Sequence, residues 1–150
     1  MTQHEQTNAP IDRWMQDKSQ FGILHLLGMK IEAAESGVGR VSISVDERLM
    51  HPQQIVHGGV IFTLADSAMS MALLSVLPEG TPFGTVEAKI NFMLPVRTGE
   101  LLAEGIILHQ GRSTAVLEAT VYNIVNGERQ AIAKALGTFS YARQKENGAK

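Results

Sequence analysis

The segment His57 to Leu77 constrains this chain more than any other, being the only stretch long enough for a major helix and apolar over most of its circumference. Helices of that kind are buried. Its run Val60 to Leu77 approaches the length of a membrane span but carries Thr63, Asp66, Ser67, Ser70 and Ser75. An ionised Asp near a bilayer centre costs about 2.5 to 3.5 kcal/mol on insertion, so the segment reads as the central helix of a soluble fold.

The rest of the chain supplies what wraps that helix. Val41, Ile43 and Val45 alternate with Ser42, Ser44 and Asp46, which predicts a half-buried strand over 40–47, with 29–34 as its antiparallel partner across Ser36-Gly37-Val38-Gly39. After Pro78, Gly80 and Pro82 the pattern predicts four more strands, over 84–94, 101–109, 114–125 and 130–141. Val86, Ala88, Ile90, Phe92 and Leu94 share one face of the first. Gly111-Arg112 and Asn126-Gly127 separate the later ones, and Asn-Gly is a strong cue for a type I′ hairpin. Ahead of all this, 11–27 reads as a helical lead-in split at Gly22, with Trp14, Met15, Phe21, Leu24 and Leu27 apolar. The expected fold is α+β: an antiparallel sheet, ending in a four-strand meander, wrapped around one long buried helix, with a short N-terminal helix.

Composition narrows the function classes. A chain of 150 residues is expected to form a single domain over 1–150, with its core at about 21–141 and a frayed charged tail from Arg143. It has no Cys, which removes disulfides, thiolate nucleophiles and iron-sulfur clusters and fits a reducing cytoplasm. Thirteen Lys and Arg against 15 Asp and Glu give a net charge of -2, without the basic surface that nucleic acid needs. The polar stretch Met1 to Pro10 lacks the form of a secretory signal. His4, His25, His51, His57 and His109 are too scattered to suggest a metal set. There is no Gly-x-Ser-x-Gly elbow and no phosphate-binding or dinucleotide-binding glycine loop.

What remains is the junction His57-Gly58-Gly59 leading into the helix, with Asp66 inside it. Glycines at a helix start let a ligand approach bare backbone, and the first N–H groups of a helix lack internal partners and sit at its positive end. Such an end can hold a carbonyl oxygen gaining negative charge. Thr63, Asp66, Ser67 and Ser70 form one narrow polar stripe at helical spacing. It reads either as a solvated edge, as a carboxylate satisfied by hydroxyls, or as a working group facing a ligand or partner chain.

The run His57-Gly58-Gly59-Val60-Ile61-Phe62-Thr63-Leu64-Ala65-Asp66-Ser67-Ala68 resembles the signature of the hotdog-fold acyl-CoA thioesterases, in particular the phenylacetate-pathway (PaaI-like) group. Thr85 to Pro95, Gly99-Glu100-Leu101 and His109-Gln110-Gly111-Arg112-Ser113 are similar to that family as well. The resemblance implies hydrolysis of acyl-CoA thioesters, with Asp66 as general base or nucleophile and the Gly58 amide polarising the carbonyl. It implies that Gly59 allows close approach, that His57 shapes the turn, and that a Thr85 hydroxyl arrives from the opposite subunit. Where many relatives have Asn or Gln, this chain has His51, which can donate one hydrogen bond. Gly111 and Arg112 resemble a position that meets CoA phosphates. The family implies a homodimer, often a dimer of dimers, and no separate cofactor, CoA being part of the substrate; the net charge, the Asp in the helix and the scattered histidines already argue against nucleic acid, membrane and metal. Met50, Phe62, Met69, Met71 and Met93 either line an acyl pocket or belong to the core. Rival readings are a non-catalytic acyl-CoA binding module, a hydro-lyase acting on enoyl thioesters with a His and Asp66 as a pair, and a purely structural oligomer-forming domain.

Overall fold

A computed structural model describes residues 22–145. Helix α1 (Gly22–Leu27) leads into strands β1 (Lys30–Glu35) and β2 (Val38–Ser44), a 3-10 turn at Glu47–Leu49, and the long helix α2 (Gly58–Leu74). Strands β3 (Phe83–Phe92), β4 (Glu100–Gln110), β5 (Thr114–Val125) and β6 (Glu128–Tyr141) follow. Trp14, Met15 and Phe21 of the expected lead-in helix and the tail from residue 146 lie outside the described residues. Leu24 is the buried residue of α1.

Local chemistry sets the boundaries. The β1–β2 connection is shorter than the expected four residues: Ser36 and Gly37 alone have positive φ, 50° and 80°, as a type I′ turn requires. Val38 and Gly39 already belong to β2. The strand expected to reach residue 47 stops at Ser44, because the Asp46 carboxylate accepts from the Arg48 N–H and caps the 3-10 turn. Helix α2 stops at Leu74. The Ser75 hydroxyl there donates to the Ala72 carbonyl (2.7 Å) and accepts from the Gly37 N–H (2.9 Å), tying the helix end to the β1–β2 turn. Asn126 and Gly127, at φ 50° and 78°, form the predicted hairpin turn.

The six strands form one antiparallel sheet in the order β1-β2-β4-β5-β6-β3. The expected four-strand meander is therefore corrected. Strands β4, β5 and β6 do meander, but β3 pairs with β6 and occupies an edge. The connection 93–99 runs past the start of α2, where the Val56 N–H donates to the Val96 carbonyl (2.9 Å), and so carries the chain from that edge back to β4 beside β2.

The helix lies on a row of the smallest residues in the sheet. Register aligns Ala34 with Gly39, Gly39 with Gly105, Gly105 with Ala119 and Ala119 with Ala135 across five strands, all buried. A Cβ on Gly105 would sit 2.5 Å from the Ala68 carbonyl oxygen, and one on Gly39 would sit 2.5 Å from the Ala72 nitrogen. Larger side chains flank this row, with Val41 and Val121 on one side and Leu117 on the other, and close the core around Leu64, Met69 and Leu73. Gly105→Ala is expected to lower the unfolding free energy by about 3 kcal/mol, measured by urea denaturation, because helix and sheet must separate to admit one methyl.

Candidate active site

Two groups of candidate residues stand apart in the chain. The first is at the start of α2. His57 is the N-cap, in extended conformation (φ -60°, ψ 133°), and its Nδ1 accepts from the Gly59 N–H at 2.9 Å. The N–H groups of Val60 and Ile61 reach the His57 carbonyl (3.0 and 3.4 Å). In this first turn the Gly58 N–H alone has no hydrogen-bond partner among the described residues, at the end where the helix dipole is positive.

The loop before the helix brings His51 to the same place. Its backbone N–H donates to Ile55 (3.0 Å), its carbonyl accepts from Gln54 (2.8 Å), and a Met50–Val56 bridge closes the loop. The His51 Nδ1 accepts from the Gln53 N–H at 3.0 Å. His51 and Gly58 share a cavity of about 360 Å³ whose other lining residues are apolar, among them Ile55, Ile61, Phe92, Met93 and Leu94. The tip of the Phe92 ring lies 3.1 Å from where a Cβ on Gly58 would be, so a side chain at 58 would press on that ring. A second, open cavity of about 780 Å³ adjoins His51 and includes Asp46, Glu47, Met50 and Arg97. There the Arg48 guanidinium bonded to Asp46 holds that carboxyl below the usual carboxylate range.

The second group is two turns further along α2. Asp66 is half-buried and its Oδ1 accepts from the Thr85 hydroxyl at 2.7 Å. Within one chain Thr85 thus bonds to Asp66, because β3 runs back beside the middle of α2. The other hydroxyls of the polar stripe do not serve the carboxylate. Thr63 donates to the Gly59 carbonyl (2.8 Å) and Ser67 to the Thr63 carbonyl (2.7 Å), each bonding back along the helix.

Gly111 and Arg112 lie on the β4–β5 hairpin, beyond the Thr85 end of β3. Phe139 pairs with both Thr85 and Ala115, and Arg112 stands three residues before Ala115. Arg143 and Lys145, which sequence reasoning assigned only to a frayed tail, border the same small pocket as Arg112, and the Gln144 N–H donates to the Arg112 carbonyl (2.9 Å). Tyr141 fixes the hairpin, its hydroxyl meeting the Gly111 carbonyl and lying 3.1 Å from that of Thr114. Of the candidate pocket residues, Met69 and Met71 are core; Met50 and Met93 border cavities. Phe92 and Tyr141 were not legible beforehand, since their partners are 34 and 30 residues away in sequence.

A carboxylate and an unpartnered helix-start amide are thus carried on one helix wrapped by an antiparallel sheet. Comparison with known proteins gives the family: a family model of the thioesterase superfamily matches residues 53–129. The acyl-coenzyme A thioesterase PaaI of Escherichia coli is 31% identical over 108 residues, 71% of this chain and 73% of that protein. A 1,4-dihydroxy-2-naphthoyl-CoA hydrolase of Listeria monocytogenes is 32% identical over 101 residues, 67% of this chain and 81% of its own. Among solved structures, a thioesterase family protein from Silicibacter pomeroyi superposes with a TM-score of 0.79 at 26% identity, covering 90% of this chain and 96% of that one. The chain belongs to the thioesterase superfamily, in its PaaI-like, hotdog-fold branch. Among the described residues no helix is long and apolar enough to cross a membrane.

Two outcomes are expected. His57→Ala should cost about 1 kcal/mol of stability, with His57→Asn recovering most of it, because only the Ala variant leaves the Gly59 N–H uncapped; urea melts read this. Burial pushes the Tyr141 phenol above its ordinary value. Its contribution is therefore present below the unfolded phenol pKa of about 10 and lost as pH rises beyond it. Tyr141→Phe should cost about 1 kcal/mol at neutral pH and flatten the alkaline loss of stability, measured by urea melts across that range.

Proposed function

We propose that this protein hydrolyses acyl-CoA thioesters to the free acid and CoA. The observation that carries the reading is the free Gly58 N–H, at the positive end of α2 and beside an apolar cavity. It is a donor in place before any charge develops on a carbonyl oxygen. Asp66 supplies the second half. Thr85 occupies Oδ1, which leaves Oδ2 to take the proton of an attacking water or to attack the carbon itself. In the water route, oxygen adds to the carbonyl carbon, its proton passes to Asp66, and the oxyanion rests on Gly58. Collapse then breaks the C–S bond and the leaving sulfur takes the proton.

One chain does not complete this site. Gly58 and Asp66 are eight residues apart on one helix, about 12 Å along its axis, too far for both to reach one carbonyl group. Edge strand β3 offers the solution. Val86 is 60% and Phe92 52% exposed on it, an apolar edge that calls for a partner. Antiparallel pairing of β3 with β3 of a second copy, centred near Ala88, sets Thr85 of one chain beside Phe92 of the other. That brings Asp66 of one copy to Gly58 of its partner, so we assign a homodimer with two composite sites. Dimers of dimers are consistent with this arrangement.

The cavity beside Gly58 contains no charged side chain, which suits an aromatic or medium-chain acyl group and disfavours one ending in a carboxylate. Arg112, with Arg143 and Lys145 around the same pocket, suits the CoA phosphates. No separate cofactor is required, and the cysteine-free chain suits a cytoplasmic location. The hydro-lyase reading is weaker, since Nδ1 of both His51 and His57 already accepts a backbone N–H and neither offers a lone pair as base toward the Gly58 cavity without changing tautomer. The binding-module reading leaves Asp66 without a task.

Thiol release from benzoyl-, phenylacetyl- and hexanoyl-CoA is expected, with little from succinyl-CoA. Asp66→Asn should abolish it, and full activity in that variant would overturn the mechanism. Gly58→Pro deletes the amide proton at a helix position that tolerates Pro and should lower kcat by about 10² to 10³, whereas Gly58→Ala, which keeps the amide and also puts a Cβ against Phe92, is the steric control and should lower it far less. Refolding Asp66→Asn with Gly58→Pro should restore about a quarter of wild-type activity by random assortment of a two-fold dimer. The pair Asp66→Asn and Thr85→Ala, both altered in the same half-site, should restore none.

A further inference from the structure

The phenyl ring of Phe92 borders the cavity beside Gly58. Phe92 is the last residue of β3 and pairs with the buried Ala133, whose methyl leaves room beside the ring on the inner face of the sheet. The chain that follows is tied on both sides. The N–H groups of Met93 and Leu94 reach the Ile132 carbonyl (2.8 and 3.3 Å), and the Val56 N–H donates to the Val96 carbonyl (2.9 Å). Strand and loop thus hold the ring against the start of α2. From the place that a Cβ on Gly58 would take, Cζ of the ring is 3.1 Å away and the two Cε atoms are 3.4 and 3.5 Å away, so the ring points at Gly58 tip first.

We infer that Phe92 determines specificity at the acyl α-carbon, admitting thioesters in which that carbon is a CH₂ or a flat sp² centre and turning away those branched there. The inference rests on the thioesterase reading above. A carbonyl oxygen that accepts the Gly58 N–H lies about 2.9 Å from that nitrogen. The α-carbon is two bonds from this oxygen, and the apolar cavity takes the acyl chain that continues from it. It therefore lies beside the ring tip, in the space that Gly58 leaves by having no side chain. A chain leaving through CH₂, or the plane of an aryl carbon, passes along the ring. A second carbon on the α-carbon meets Cζ. Farther along the wall stand Met93 and Leu94, exposed side chains that can change rotamer around a branch. Discrimination is thereby confined to the first carbon of the acyl chain.

Three isomeric thioesters test this on the full-length chain: hexanoyl-CoA, 4-methylpentanoyl-CoA with its branch remote, and 2-ethylbutanoyl-CoA with its branch at the α-carbon. Each kcat/KM, read by thiol release, is expressed relative to hexanoyl-CoA. Comparing these ratios between variants cancels the intrinsic reactivity of each thioester. Phe92→Ala should raise the 2-ethylbutanoyl ratio about tenfold, as expected for relief of one carbon's crowding in an apolar pocket, and leave the 4-methylpentanoyl ratio within about twofold. Phe92→Leu keeps apolar bulk on β3 but withdraws the ring tip, and should shift the first ratio the same way by a smaller factor. It decides the matter where the Ala variant shows no cooperative urea melt. If only aryl thioesters are cleaved, 2-phenylpropanoyl-CoA against phenylacetyl-CoA gives the same comparison. An α-branched ratio unchanged in the folded variants, or an equal rise for the remote branch, would overturn the inference while wild-type cleavage upheld the thioesterase reading. A wild type that releases thiol from none of these substrates would sink both.

Discussion

The close seat of helix α2 on the sheet is the contact on which everything else rests. Ala34, Gly39, Gly105, Ala119 and Ala135 lie side by side across five strands, and Ala68 of the helix meets the two glycines backbone to backbone. Such an approach is available only where Cβ atoms are absent or are methyls. Rows of larger residues on either side then keep the helix from rolling. The direction of the helix is thereby fixed, and with it the places of its first amide and of its eighth residue beyond.

Position on that helix separates the two halves of the proposed chemistry. Gly58 needs a helix start, where N–H groups are unpartnered, whereas Asp66 needs the helix interior, where β3 can bring Thr85 against it. The same strand reaches Phe92 at its other end, over Gly58. One edge strand thus touches both half-sites of its own chain at a separation of seven residues, roughly 23 Å. In the proposed homodimer an antiparallel partner strand would reverse that order, which is the geometric reason a two-fold edge pairing would convert two incomplete halves into two complete sites.

Much of this was legible in sequence because it depends on local chemistry. The apolar circumference of 57–77 marked the helix, Asn126-Gly127 marked a turn that the positive φ values bear out, and His57-Gly58-Gly59 marked the helix start. Pairing at long range was not legible. Nothing local distinguishes a strand that pairs with its successor from one that pairs with β6, so β3 was expected within a meander. Gly39 was expected in a turn because its reason for being glycine, the backbone of Ala68, lies 29 residues away. Thr85 could be named a candidate, but only the fold shows that its partner is Asp66 of the same chain.

The polar stripe on α2 shows how a site is made from what the fold leaves unsatisfied. Thr63 and Ser67 return their protons to carbonyls of their own helix, which removes them as partners for the carboxylate between them. Asp66 then receives one hydroxyl, from Thr85, and keeps one oxygen without a hydrogen bond among the described residues. The helix start shows the same economy: His57 takes the Gly59 N–H and its carbonyl takes the next two, so among the described residues the donor left in this turn is that of Gly58. A half-buried acceptor and a half-buried donor left open in an otherwise satisfied helix are each costly when isolated. Bringing a polarised carbonyl to the donor and a water or carbon centre to the acceptor would relieve both, and in the proposed homodimer a thioester held between two copies of the chain would present both atoms at once.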